Sequence, residues 1–158
     1  MENSFKNPII LSPIAFVKNS RTAMTDDNWG EVISEITLAP FLNEEALFGI
    51  EEFSHLEILF HFHKADPLKI VTGAEHPREN PEWPLVGIFA QRKKSRPNLI
   101  GSTIVLFLKR EGTTLFVKGL DADDGTPILD IKPVLKEFLP HEEVRQPQWA
   151  SELMRNYW

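Results

Sequence analysis

The sequence predicts a mostly β protein, a single small β-barrel of short, largely antiparallel strands with a short C-terminal helix. Three observations carry that expectation. About seven short strand-like runs follow one another, separated by turns rich in proline and glycine. Helical periodicity does not alternate with those runs, which argues against a doubly wound α/β sheet. The one clear amphipathic helical pattern stands near the end of the chain. With 158 residues, an apolar share of 42% and a charged share of 25%, one domain over 1–158 is expected. Its barrel core would span about 9–133, and a tail with the helix 134–158.

The chain opens with a β-rich run from Ile9 to Val17. Pro13 lies inside it and donates no ladder hydrogen bond, so this is an edge strand or a bulged one. Lys18 to Gly30 is a polar loop, in which Trp29 is either a plug for the core or a flat surface for a ligand. Val32, Ser34, Ile36 and Leu38 alternate, making a strand that Pro40 stops. Asn43 is placed to cap one helical turn ended at Gly49. The clearest strand is His55 to His63. Leu56, Ile58, Phe60 and Phe62 share one face of it; His55, Glu57, Leu59, His61 and His63 share the other.

Lys64 to Pro84 reads as a long loop with no element of its own, a length that points to function or mobility. Leu85 to Gln91 reads as a strand whose Gly87 permits a close approach. Thr103 to Lys109 is apolar on both faces and reads as a central strand. Glu111-Gly112 turns it into a hairpin with Leu115 to Leu120. Ile128 to Ile131 is a short strand closed by Pro133, and Val134 to Leu139 a short helical piece. Pro147 suits the first position of a last helix over Gln148 to Tyr157, where Trp149, Leu153 and Tyr157 form an apolar stripe.

The net charge of -6 argues against generic polyanion binding, since phosphate affinity comes mainly from Lys and Arg. There is no cysteine, which excludes disulfides and thiolate metal sites and fits a reducing compartment. The N-terminal run MENSFKNPIILSPIAF lacks signal-peptide architecture, and no apolar run approaches the roughly 18 residues that span a bilayer. A cytoplasmic protein is expected, with neither membrane nor DNA as partner.

Two connections carry most of the chemistry. The first is a basic loop from Arg92 to Gly101. Arg forks there match carboxylate or phosphate, and the same content also makes a plain solvated loop. The second is an acidic turn from Asp121 to Pro127. Its Asp oxygens suit ribose hydroxyls, an amine or backbone amides, and Asp-Gly is also an ordinary turn pair. Together the two loops suit a ligand carrying both signs. Glu57, His61 and His63 would bind a divalent metal only if they lined a barrel interior; no metal is expected. No nucleophile elbow is present, so covalent hydrolysis has little support.

Several segments, in order, resemble the TsaA-like (YaeB/TrmO) family. They are Glu52 to Leu56, Phe60 to His63, His76-Pro77-Arg78, Val86 to Arg92, Arg96 to Gly101 and Asp121 to Pro133. The resemblance covers roughly Ile9 to Pro133. It implies a homodimeric, S-adenosylmethionine-dependent methyltransferase built on a β-barrel, with the cofactor near the subunit interface. The acceptor would be N6 of threonylcarbamoyladenosine beside the tRNA anticodon. Carried over by motif, the cofactor pocket would use Phe62, His63, Arg92, Ser102, Asp124, Gly125, Thr126, Pro127 and Ile128. Asp27, Asn28 and Trp29 would cover it.

The acceptor is expected to meet His76, Arg78, Lys94, Arg96 and Asn98; Asp121 and Glu57 are the two candidates to take its proton, and the catalytic residue is left open between them. Three departures stand out. The early loop reads TDDNWGEVISEI rather than a Pro-Arg-Gln-like segment. Leu99 replaces the second proline of an RPNPIG motif. The chain ends in EVRQPQWASELMRNYW where larger members carry a further domain. Alternatives are methylation of a small molecule, a non-catalytic barrel that binds an adenine-containing ligand, and a metal-dependent barrel enzyme.

Overall fold

The computed structural model describes residues 7–158; the first six residues, which begin the segment read for a signal peptide, lie outside the described residues. The strands are β1 (Ala15–Lys18), β2 (Ile33–Leu38), β3 (His55–His61), β4 (Ala74–Glu75), β5 (Val86–Gly87), β6 (Ile100–Glu111), β7 (Thr114–Lys118) and β8 (Pro127–Pro133). One helix, α1 (Gln148–Leu153), follows. Six strands close into an antiparallel barrel in the order β1-β2-β7-β6-β3-β8. The expected fold class is therefore the observed one.

Alternation builds the core. Ile36, Leu38, Leu56, Ile58, Phe60, Val105, Leu115, Val117 and Ile128 point inward and are buried. Ser34 takes an inward position of β2 without penalty, because its hydroxyl accepts from the Asn19 side-chain amide at 2.9 Å. Gly101 is the inward residue where β6 passes Phe60. A Cβ there would lie 2.5 Å from the Phe60 ring, so the position has room only for hydrogen.

The structure differs from the sequence reading in several places. The first strand begins only at Ala15. Ile9 and Ile10 stay 89% and 85% exposed, since Pro13 interrupts the run of amide donors that pairing needs. β3 stops at His61, where the His63 amide turns back onto the His61 carbonyl at 2.8 Å. The 64–84 stretch is not structureless. It holds 3-10 turns at Pro67–Lys69 and Pro77–Glu79, and β4 pairs with β5.

Leu85 to Gln91 is strand only at Val86–Gly87, then winds into a 3-10 turn that buries Ile88. β6 is central, as expected, yet its outer residues Ile104, Leu106 and Leu108 remain 49%, 40% and 43% exposed. The 134–139 piece is a single 3-10 turn at Lys136–Phe138. Pro147 precedes α1 as its cap residue, and α1 ends at Leu153, short of Tyr157.

The antiparallel registers gather three long connections at one barrel mouth. The C-terminal ends of β1, β3 and β7 meet the N-terminal ends of β2, β6 and β8 there. Segments 19–32, 62–99 and 119–126 therefore share that mouth. The chain after α1 folds back onto it. Asn28 and Trp29 donate their amides to the carbonyls of Asn156 and Tyr157, at 2.9 and 2.8 Å. The Trp83 indole donates to the Glu152 carboxylate at 2.8 Å.

Candidate functional site

At the mouth, Phe60, Phe62, His63, Lys64, Lys94, Asp121, Asp123 and Thr126 line a small cavity. β3 brings the aromatic pair, whose rings meet edge to face at 5.3 Å. Gly125 (φ 80°) permits the tight turn that swings Thr126 under the mouth. Thr126 donates its hydroxyl to the Asp123 carbonyl at 2.7 Å, and its oxygen lies 3.4 Å from His63 Nδ1. Burial holds the His63 imidazole below its usual range, Lys64 adds to that effect, and Asp123 opposes it.

Asp121 is gripped on both oxygens. Thr103, on the inner face of β6, donates to Oδ1, and the Tyr157 hydroxyl donates to Oδ2. Burial, then the Asp121 charge, pushes the Tyr157 phenol well above its ordinary range. Asp123 is buried, and its Oδ1 has no partner among the described residues. A buried carboxylate oxygen without a donor is costly unless a ligand supplies one.

The residues expected at a cofactor pocket fall into two groups. Phe62, His63 and Thr126 line the mouth, and Gly125 lies beside His63. Arg92 and Ser102 meet instead on the outer wall of β6, where the exposed guanidinium donates to the Ser102 carbonyl. Asp124 accepts from the Asn19 amide at 2.9 Å and so holds the early loop. Pro127 pairs with Phe16, and the Ile128 side chain is buried in the core.

In the early loop Trp29 is the core plug, 2% exposed. The Arg21 guanidinium packs 3.9 Å from its ring centre. Only Asp27 and Asn28 of the expected cover present side chains outside the core. Asp27 accepts both ends of the Arg78 guanidinium, at 2.8 and 3.3 Å, and Asn28 adopts φ 65°.

The residues expected to meet the acceptor are also dispersed. Lys94 lines the cavity. His76 is hydrogen-bonded to the Trp83 carbonyl at 2.6 Å, Arg96 donates to the Gln91 carbonyl at 2.6 Å, and Asn98 is an exposed turn residue with φ 66°. Of the two expected proton acceptors only Asp121 stands at the mouth. Glu57 lies on the outer face of β3, opposite Ile104 and Lys132. His61 shares that outer face, while His63 has left the strand, and among the described residues no group of three His, Cys, Asp or Glu converges to hold a metal ion. The metal-site reading of Glu57, His61 and His63 loses its premise, because Glu57 and His61 face outward on β3 while His63 lines the mouth, so the three do not share a face.

Sequence reasoning missed Thr103, Asp123 and Tyr157. The three-Asp turn flagged the neighbourhood of Asp123. Nothing local flags Tyr157, whose contact spans 36 positions.

A closed antiparallel barrel with a small cavity at one mouth and none of the alternating helices of a doubly wound sheet defines a small β-barrel domain. Residues 16–138 match the family described as tRNA-methyltransferase O N-terminal domain, and the chain belongs to that family. It is 39% identical over 113 residues to a human tRNA (adenine(37)-N6)-methyltransferase, covering 72% of this chain and 25% of that protein. It is 42% identical over 101 residues to a probable S-adenosyl-L-methionine-binding protein of Pyrococcus abyssi, covering 64% of this chain and 52% of that one. A crystal structure of TrmO from Pseudomonas aeruginosa superposes with a TM-score of 0.70 at 29% identity, over 88% of this chain and 62% of that chain. The chain thus spans a quarter of the human relative and about half of the archaeal one. Among the described residues no helix is long and apolar enough to cross a membrane.

Proposed function

We propose that this chain is an S-adenosylmethionine-dependent methyltransferase that methylates N6 of threonylcarbamoyladenosine beside the tRNA anticodon. The observation that carries the reading is the mouth of a barrel of this family, where a doubly held carboxylate, Asp121, stands beside an unpartnered buried one, Asp123. These acceptors match the chemistry of the cofactor. Asp123 Oδ1 would accept from its ammonium or a ribose hydroxyl, Phe62 would pack on an apolar part, and Arg92 would meet its carboxylate from the outer wall. When bound, the cofactor supplies an electrophilic methyl group on a sulfonium.

The chain's own residues do the rest. Asp121 accepts the proton that the acceptor nitrogen loses, within hydrogen-bond reach of the mouth. His63, held toward its neutral form, adds no positive charge beside a sulfonium. Lys94 offers a cation for an acceptor phosphate or carboxylate. Holding both partners in line supplies much of the rate, about 7–11 kcal/mol where orientation is complete. We take residues 1–158 to act as one domain in the cytoplasm. We also take the chain to form a homodimer through the exposed Ile104, Leu106 and Leu108 strip beside Arg92 and Ser102.

One observation favours a second reading, a small-molecule acceptor. Arg78 and Lys93 are paired with Asp27 and Glu75, which lowers the net positive charge that this mouth offers a polyanion. Calorimetric titration with S-adenosylmethionine, followed by transfer assays on tRNA from cells lacking the methyl group, tests both. Cofactor binding with labelled tRNA is the expected result. Binding without any transfer to tRNA selects the small-molecule reading, and no binding overturns the methyltransferase.

A further inference from the structure

We infer that Tyr157 is a positioning residue of this site: its hydroxyl fixes the Asp121 carboxylate in the orientation that receives the acceptor's proton. The inference rests on the methyltransferase reading above. It concerns a residue outside the matched family region, which ends at residue 138. A carboxylate held at one oxygen turns easily about its last torsion, because that torsion is broad. Asp121 is held at both, by Thr103 from the barrel wall and by Tyr157 from the returning tail. Each oxygen keeps a lone pair for a further donor. The two holds fix the plane of the group without consuming it.

The tail that delivers Tyr157 is built to stay in place. Its backbone takes the amides of Asn28 and Trp29, and Glu152 holds the Trp83 indole. Trp158 lies so close that a Cβ on Gly30 would come 2.8 Å from its carbonyl carbon, and its ring meets Tyr157 edge to face at 4.9 Å. Burial and the Asp121 charge keep the phenol protonated, so it donates across the whole working range. The positive charges of Arg92 and Arg78 act in the opposite sense on it.

The test compares Tyr157→Phe, which removes only the hydroxyl, with Glu152→Ala, which removes one side-chain contact of the tail while the backbone bonds from Asn28 and Trp29 still hold Asn156 and Tyr157 in place. Tyr157→Phe is expected to lower kcat roughly ten- to a hundred-fold, with KM and cofactor affinity within about two-fold of wild type. Glu152→Ala is expected to leave kcat within about two-fold. A Tyr157→Phe enzyme with unchanged kcat, or equal losses in both variants, overturns the positioning role while the methyltransferase reading stands. A wild-type chain that neither binds cofactor nor transfers methyl overturns both. A second readout needs no cofactor. Tyr157 is the chain's one tyrosine, so a single labelled ring-carbon resonance reports its hydrogen bond. Asp121→Asn should shift that resonance at neutral pH, because the phenol loses its charged acceptor; an unmoved resonance overturns the contact itself.

Discussion

At the scale of single residues, the site is a set of held charges. His63 has a depressed imidazole, caused first by burial and then by Lys64. The folded protein therefore resists protonation that the unfolded chain accepts from about pH 6.5 downward. Stability should fall as pH drops through that value toward the lower folded one. His63→Gln should flatten the fall, read by chemical denaturation at stepped pH. Leu99 gives a second test. It has φ 53°, and its amide donates to the Arg96 carbonyl at 3.1 Å. A proline ring permits neither, so Leu99→Pro should cost more than about 1 kcal/mol. In place of the motif's second proline, Leu99 lets the loop adopt a left-handed turn that proline excludes. Arg92→Ala should weaken S-adenosylmethionine by roughly 1.5–3 kcal/mol if the guanidinium meets a charged group. An unchanged calorimetric affinity would move the cofactor off the outer wall.

Among the elements, β3 and β6 make the wall behind the site, and Gly101 is their tightest point. Gly101→Ala should cost about 1–3 kcal/mol, because the Phe60 and Phe62 rings must both shift. A melting temperature equal to wild type would show that the wall yields freely. β3 was legible in the sequence because period-two alternation survives wherever one face is buried, as at Leu56, Ile58 and Phe60. Leu85 to Gln91 misled because Val86 and Ile88 look like strand residues. Their strand-forming partner is only Ala74–Glu75, and Ile88 is buried by a 3-10 turn instead. The acidic turn was legible as a concentration of carboxylates, two of which, Asp121 and Asp123, line the mouth. The isolation of Asp123 Oδ1 was not, since it depends on which neighbours fail to reach it.

For the molecule as a whole, barrel closure was predictable from strand number and from the absence of alternating helices. The docking of the tail was not, because Tyr157 meets Asp121 through tertiary contacts alone. The apolar strip on β6 argues for a partner copy, and Leu106→Glu should convert a dimer to monomers in sedimentation velocity. Wild-type monomers at high concentration would remove the dimer. The phenol of Tyr157 also gives the molecule an alkaline limit. Its folded pKa lies above the unfolded value of about 10, so stability should decline as pH rises past that point, and less so in Tyr157→Phe.

The barrel closes where β1 meets β8, through Ala15 with Ile128 and Phe16 with Pro127, partners roughly 110 residues apart in the chain. Strands β6 and β7, by contrast, are joined by a two-residue turn and pair along the length of β7. Chain entropy therefore favours the β6–β7 hairpin as an early unit and leaves the β1–β8 seam to close last. Until it closes, two strand edges stay open to other chains. Pulse-labelling hydrogen exchange during refolding should find the amides of β7 protected before that of Ile14, which donates across the seam to Ile128 at 2.8 Å. The same seam is then the natural first breach on unfolding, and its edges are where misassembly between copies would begin.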